Sequence, residues 1–490
     1  MLPWSADVLS RQEEEKIFRN ALRLLAEIGV LVENETLTDL LVSNGAKQNS
    51  LGKPLCFPES LVERFIGESR EEYDQDEGLE TSCLFPWGGR RVSNRGLEVT
   101  AGTYPQYYLG LNGQVKPHTQ ATIAEMTKLA DYLENIDRLG VMGIPSDVPA
   151  SLGPLYMRLI AWKYAERKLS GCGEVRSVEL IPYILEMGEI IAEAKGENLR
   201  RRTFAEVELI SPLKFSRQEA EIFVRFWEKG LLAGIGFMHS AGGSAPATLA
   251  AVVSLDLAES LFVNILYRCC YGWKKLWLQT NSSVLDMKTG MFPFGRPERG
   301  LVILAMGQLA RRLKAGLWAS AVYPDAKQPG IEAGLQASFN VIPAIIAGSA
   351  GIECFGLLSG AEMNSPCQLV IDNEYAGALK RFARGFSVDE NTLALEEIRE
   401  IAPGGFFGGT YHTVKFYRQE HWQPEIFSRE TLNAWLAGSH LTAEQKAKEK
   451  AENILRQYHP QGITETTEQA LLKVINQAYQ LLVEKKQKDK

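Results

Sequence analysis

The chain has 490 residues, 45% hydrophobic and 23% charged, the composition of a folded protein with one large core or two or three domains. A formal net charge of −7 argues against nucleic acid or an anionic membrane surface as the main partner, because both select for basic patches. Seven cysteines, an odd number with no C-x-x-C pair, fit a reduced cytoplasm better than a disulfide scaffold.

The N-terminal stretch MLPWSADVLSRQEEEK lacks an apolar signal core. Residues 12–30 carry Ile17, Phe18, Ala21, Leu22, Leu25 and Ile28 at helical spacing. Residues 51–117, rich in Gly and Pro with short β-prone runs, read as hairpins and loops. A T-x-x-E capping box at Thr122 and Glu125 opens the next helix. From about residue 138, short apolar runs alternate with helical segments. The runs are RLGVMGIP (138–145), KLSGCG (168–173), TFAEVELIS (203–211), LLAGIGFMHS (231–240), KLWLQTN (275–281), GLWASAVY (316–323), GIECFGLL (351–358) and CQLVID (367–372). Ser216 and Glu219 offer a second capping box, and the apolar region 245–271 reads as a buried core helix. The seventh connection, 359–366, is too short for a full helix.

Eight strand-plus-helix cycles in about 250 residues match an α/β fold of the (β/α)8 TIM barrel type. A doubly wound open sheet also alternates strand and helix and stays open as an alternative. The expected organisation is 1–135 as N-terminal helices and hairpins, 136–385 as the barrel, and 386–490 as a C-terminal loop and helices packed on it. The final KKQKDK reads as a frayed end.

In a barrel the chemistry sits at the C-terminal ends of the strands. Residues there include Ser146, Asp147, Glu174, Ser211, His239, Gln279, Asn281, Tyr323, Asp325, Phe355 and Asp372. Metal ligation is not expected, since no H-x-x-x-H, H-E-x-x-H or C-x-x-C occurs. Phosphate-loop, dinucleotide, G-x-S-x-G and D-x-H-x-x-G patterns are also missing. What remains is glycine and aromatic residues, in AGTYP (101–105) and GGFFGGTYHT (404–413). Ring faces attract a quaternary ammonium, which has no N–H to donate, by ~0.5–2 kcal/mol per contact. The competing reading is that these rings plug the barrel top.

Segments spread over nearly the whole chain resemble the trimethylamine methyltransferase family. They include EIGVLVEN (27–34), NIDRLGVMGIPSDVP (135–149), SAPATLAAVVSLDLAE (244–259), LDMKTGMFPFGRPE (285–298), YPDAKQP (323–329), FSVDENTLALEEIREIAPGGFFGGTYHT (386–413) and HWQPEIF (421–427). The family fold is a (β/α)8 barrel. No pyrrolysine appears, so the chain is similar to the branch that acts on quaternary amines. The resemblance implies methyl transfer from glycine betaine, giving dimethylglycine, to Co(I) of a separate corrinoid protein. Carnitine, proline betaine or butyrobetaine are alternative substrates. It implies a cobalamin-type cofactor carried by that partner, none bound covalently here, and a cytoplasmic homo-oligomer. Expected substrate-binding residues are Tyr104, Gln279, Tyr323, Phe355, Phe407, Tyr411 and His412. His412 is the first choice for catalysis and for holding a betaine carboxylate, with the glycines arching its loop over the mouth. Two other readings stay open: a lyase or isomerase with His239 or Asp325 as base, and a non-catalytic quaternary-amine binding protein.

Overall fold

A computed structural model describes residues 6–48, 50, 52–75, 97–201, 203–319 and 322–484. Part of the expected hairpin region, Cys83 and the terminal KKQKDK lie outside them. The architecture is mixed α/β. The helix Arg11–Arg23 buries the expected face, with Ser10 and Glu13 closing a capping box at its start. It packs on Leu249–Tyr271, a helix long and apolar enough to span a membrane but buried in the core here.

Eight short strands share one direction. They are β1 (Glu98–Ala101), β2 (Arg138–Leu139), β3 (Leu169–Ser170), β4 (Ala205–Glu208), β5 (Ala233–Gly236), β6 (Trp277–Gln279), β7 (Gly316–Trp318) and β8 (Gly351–Phe355). β1 pairs in parallel with β2 and also with β8, through Thr100 to Arg138 and Val99 to Ile352. β2 pairs with β3, β4 with β5, and β6 with β7, all parallel. A parallel bridge from Glu174 to Glu206 joins the β3 and β4 chains. Beyond β5 and β6, Ser240–Ala241 pairs with Ser283–Val284. Ala350 donates to the Leu317 carbonyl at 3.0 Å, and Val322 to that of Glu353 at 2.8 Å, linking β7 with β8.

Two strands differ from expectation. CQLVID lies inside the helix Pro366–Arg384, which Pro366 starts in its first turn, where a missing N–H costs nothing. β1 lies in the segment expected to be hairpins; its four residues, EVTA, carry too short an alternation to stand out. Two caps shift as well. The helix Gln120–Tyr132 opens at Thr119, whose box partner is Thr122. Ser216 holds the N-cap position without a side-chain bond, and Glu219 instead accepts from the Glu208 N–H at 3.2 Å.

The strands show why the inner face carries so many glycines. Ala205, Val207, Ala233, Ile235, Leu278 and Leu317 pack into the apolar layer under the helices. Their alternating neighbours therefore turn inward. There, large residues lie over glycines of adjacent strands. A Cβ placed on Gly316 would lie 2.5 Å from the Trp277 ring, and one on Gly351 3.0 Å from the Trp318 ring. Likewise a Cβ on Gly173 would lie 2.2 Å from Glu206, and one on Gly236 2.5 Å from Glu208. Gly316→Ala should therefore overpack the inner face and cost about 1–3 kcal/mol. The measurement is the denaturant midpoint, with Gly334→Ala, whose Cβ would meet open space, as the control.

Candidate functional site

β4 sends two carboxylates inward from an otherwise apolar strand. Glu208 is open to solvent, and Glu206 partly so. Burial by the surrounding protein nonetheless pushes the Glu206 carboxyl up to about 7 and that of Glu208 up to about 8. Water reaches both side chains, yet protein atoms crowd around them. Glu353, from β8, is buried beside them, and burial pushes it up to about 8 while the Trp318 indole donates to it. The carboxylates raise one another, Glu206 acting on both Glu208 and Glu353.

Aromatic residues share this space. The Tyr104 hydroxyl donates to Glu206 at 2.5 Å. Burial and that carboxylate hold its pKa well above the ordinary phenol value, so it stays a donor. Its ring packs against Val141, Met157 and Cys172. Tyr323 accepts from the Cys354 thiol at 3.1 Å and tilts against Phe294 at 4.4 Å between centroids. Arg299, fully buried, lies over the Phe294 ring at 5.3 Å and donates to the Asn281 carbonyl. Arg158 donates to the Glu174 carbonyl at 2.8 Å. Arg158 Nη2 and Arg299 Nε are buried and have no hydrogen-bond partner.

His239, one of the two expected bases, is committed elsewhere. Its Nδ1 lies 2.7 Å from Asp256 and its Nε2 3.4 Å from Glu259, with all three side chains buried. Burial opposes the charge, but the two carboxylates outweigh it and raise His239 to about 10. Thr280 and Ser282 donate to Asp256, each at 2.6 Å, and Ser211 and the Leu213 N–H donate to Glu259. One buried imidazolium thus ties together the segments that follow β4, β5 and β6. Asp325, the other expected base, accepts from the Phe294 and Gly295 N–H groups at 3.0 and 2.7 Å and anchors a loop. Among the described residues no group of three His, Cys, Asp or Glu side chains converges as metal ligands would.

Of the expected site residues, Tyr104, Gln279 and Tyr323 lie at the strand ends. Gln279 donates to the Ile235 carbonyl at 2.8 Å, bridging β6 to β5. Phe355 does not join them. The register shift between Ile352 and Phe355 turns its ring outward, into the fully buried layer with Val99 and Leu369. Phe407, Tyr411 and His412 are also elsewhere. His412 Nε2 lies 3.0 Å from the Asn391 carbonyl, its backbone N–H donates to Glu397, and its ring packs on Phe416 at 4.5 Å. Thr410 caps the helix Tyr411–Glu420, whose far end is tied by Arg381 to Glu420 at 3.0 Å. Lys380, beside Arg381, bonds Asp137 just before β2. The GGFFGGTYHT segment is therefore held within its own arm and, at the far end of the helix it opens, through Arg381.

Replacing His239 with Gln leaves two buried carboxylates without their cation and should cost about 3–5 kcal/mol near neutral pH. The raised pKa sets the sign. The imidazolium's contribution is full below about 6.5 and is lost as pH rises through about 10. The stability gap between wild type and His239→Gln should narrow across that window in urea titrations.

Residues 4–480 match the family model of trimethylamine methyltransferase (MTTB). The glycine betaine methyltransferase of Desulfitobacterium hafniense strain Y51 is 24% identical over 464 residues, covering 93% of this chain and 94% of that one. A trimethylamine methyltransferase of Methanosarcina barkeri is 23% identical, covering 92% and 91%. The solved monomethylamine methyltransferase of Methanosarcina barkeri aligns with a TM-score of 0.45 at 11% identity, over 90% of this chain and 86% of that one. With the match running along almost its whole length, the chain belongs to the trimethylamine methyltransferase family of enzymes.

Proposed function

We propose that this enzyme transfers a methyl group from a quaternary amine, glycine betaine first among them, to Co(I) of a separate corrinoid protein, giving dimethylglycine from the betaine. In this reading the eight parallel strands close into a (β/α)8 barrel, and the amine binds in its recess. The observation that carries it is the group Glu206, Glu208 and Glu353 beside Tyr104 and Trp318: desolvated carboxylates, of which Glu206 and Glu208 stay within reach of water.

Such a site suits a permanent cation. A tetraalkylammonium cannot donate a hydrogen bond, so it gains Coulomb attraction from the carboxylates and quadrupole attraction from the rings. Raised carboxyl groups hold protons at neutral pH, and the cation takes the place of one. The ground state is then not over-stabilised. As charge leaves nitrogen, a carboxyl group can take its proton back. The departing tertiary amine is neutral, so no side chain need protonate it. The nucleophile belongs to the partner, which accounts for a site without an activated Ser or Cys. A betaine also carries a carboxylate, and Arg158 Nη2 and Arg299 Nε are buried donors with unused capacity for it. The name of the Desulfitobacterium relative supports the same substrate class.

The test is a panel of quaternary amines with reduced corrinoid, following loss of the Co(I) absorbance. Glycine betaine should be consumed with a kcat/KM that rises between about pH 6 and 9, as the carboxyl groups at about 7 and about 8 ionise. Glu208→Gln should lower kcat/KM at least ~10-fold, about 1.4 kcal/mol, and flatten the upper part of that profile. If no amine in the panel discharges Co(I), or the profile is flat in wild type, the proposal fails.

A further inference from the structure

Cys354, next to Glu353 on β8, is strained. Its φ is 71°, in the left-handed region that a residue with a Cβ enters only at a cost. It lies within the register shift between Ile352 and Phe355. The backbone on both sides is tied down. The Glu353 carbonyl accepts from the Val322 N–H at 2.8 Å, and the Gly356 N–H donates to Asp372 at 2.7 Å. Strain of this kind persists where the surroundings impose it, and it gathers at ligand sites.

Its effect falls on a neighbouring side chain. The buried Cys354 thiol donates to the Tyr323 hydroxyl at 3.1 Å. Burial and the nearby Glu353 hold that thiol well above the ordinary range, so it stays a donor and is a poor methyl acceptor. Burial likewise keeps the Tyr323 phenol protonated. That phenol accepts from the thiol but, among the described residues, donates to none, and its side chain is only partly buried. Its proton is therefore available to a ligand. Arg299 stands on the same side: its guanidinium lies 6.0 Å from the Tyr323 ring centroid, and its buried Nε has no hydrogen-bond partner. A phenol proton and a guanidinium N–H close together are donors that suit a carboxylate.

Taking the amine chemistry proposed above as its basis, we propose that Cys354 is a positioning residue: its thiol turns the Tyr323 hydroxyl so that the phenol proton, with Arg299, holds the carboxylate of a betaine. Cys354 thereby favours quaternary amines that carry an anionic group over purely alkyl ones. Of the two buried arginines, the carboxylate goes to Arg299, the one beside an uncommitted phenol proton.

The test is calorimetric binding of glycine betaine and of tetramethylammonium, which has no carboxylate, to the full chain without a corrinoid protein. Tyr323→Phe should weaken betaine at least ~10-fold and Cys354→Ala at least ~3-fold, with tetramethylammonium changed less than ~2-fold in both. Cys354→Ser, which keeps a donor, should recover part of the loss. A merely structural role would weaken both cations alike. The second measure is the S–H infrared band that Cys354→Ala removes. When betaine takes the phenol proton, the phenol oxygen becomes a better acceptor, so the band should move to lower frequency with betaine and stay in place with tetramethylammonium. A wild type that binds neither cation, equal weakening of both, unchanged betaine affinity in both variants, or an S–H band indifferent to betaine would each overturn the assignment. Failure of the methyl-transfer reading looks different: wild type then binds betaine selectively yet leaves Co(I) intact.

Discussion

Everything at the centre of this protein depends on fitting charged and aromatic side chains against glycines of neighbouring parallel strands. Glu206, Glu208, Trp277 and Trp318 all project inward, and each lies over a glycine on an adjacent strand. Glycine in a strand normally weakens it. Here it provides volume into which those side chains can lie. The same crowding strips water from the carboxylates, which raises their affinity for protons. Packing and electrostatics at the recess are thus one constraint.

Much of this was legible in the sequence. The alternation of apolar runs with helical segments located seven of the eight parallel strands, because strands covered by helices read as continuous apolar runs. The eighth went astray for a local reason: CQLVID is as apolar as a strand, and only its continuation to Arg384 marks it as a helix. Family likeness was carried by many weak segments together, and the family model spans residues 4–480.

The site was harder to read. Tyr104 and Tyr323 were expected at the strand ends, whereas the carboxylates beside them, Glu206, Glu208 and Glu353, were not singled out, although a signal for them was present. TFAEVELIS and GIECFGLL each place glutamate inside an apolar strand, where an unpaired charge is too costly to be incidental. The glycine-aromatic stretch 404–413 is harder to place from sequence. Its composition suggests a ligand loop, but the position of a loop is decided by its anchors: His412 bonds the Asn391 carbonyl, and Arg381 and Arg384 hold Glu420 and Gln419 at the far end of the helix that follows. Nothing in the local sequence reveals at which end of a fold a segment is fastened.

The buried imidazolium of His239 has a mechanical consequence. Since Asp256 and Glu259 gather the chain after β4, β5 and β6 around a single ion, those three stretches cannot yield one at a time. That side of the rim behaves as a solid jaw.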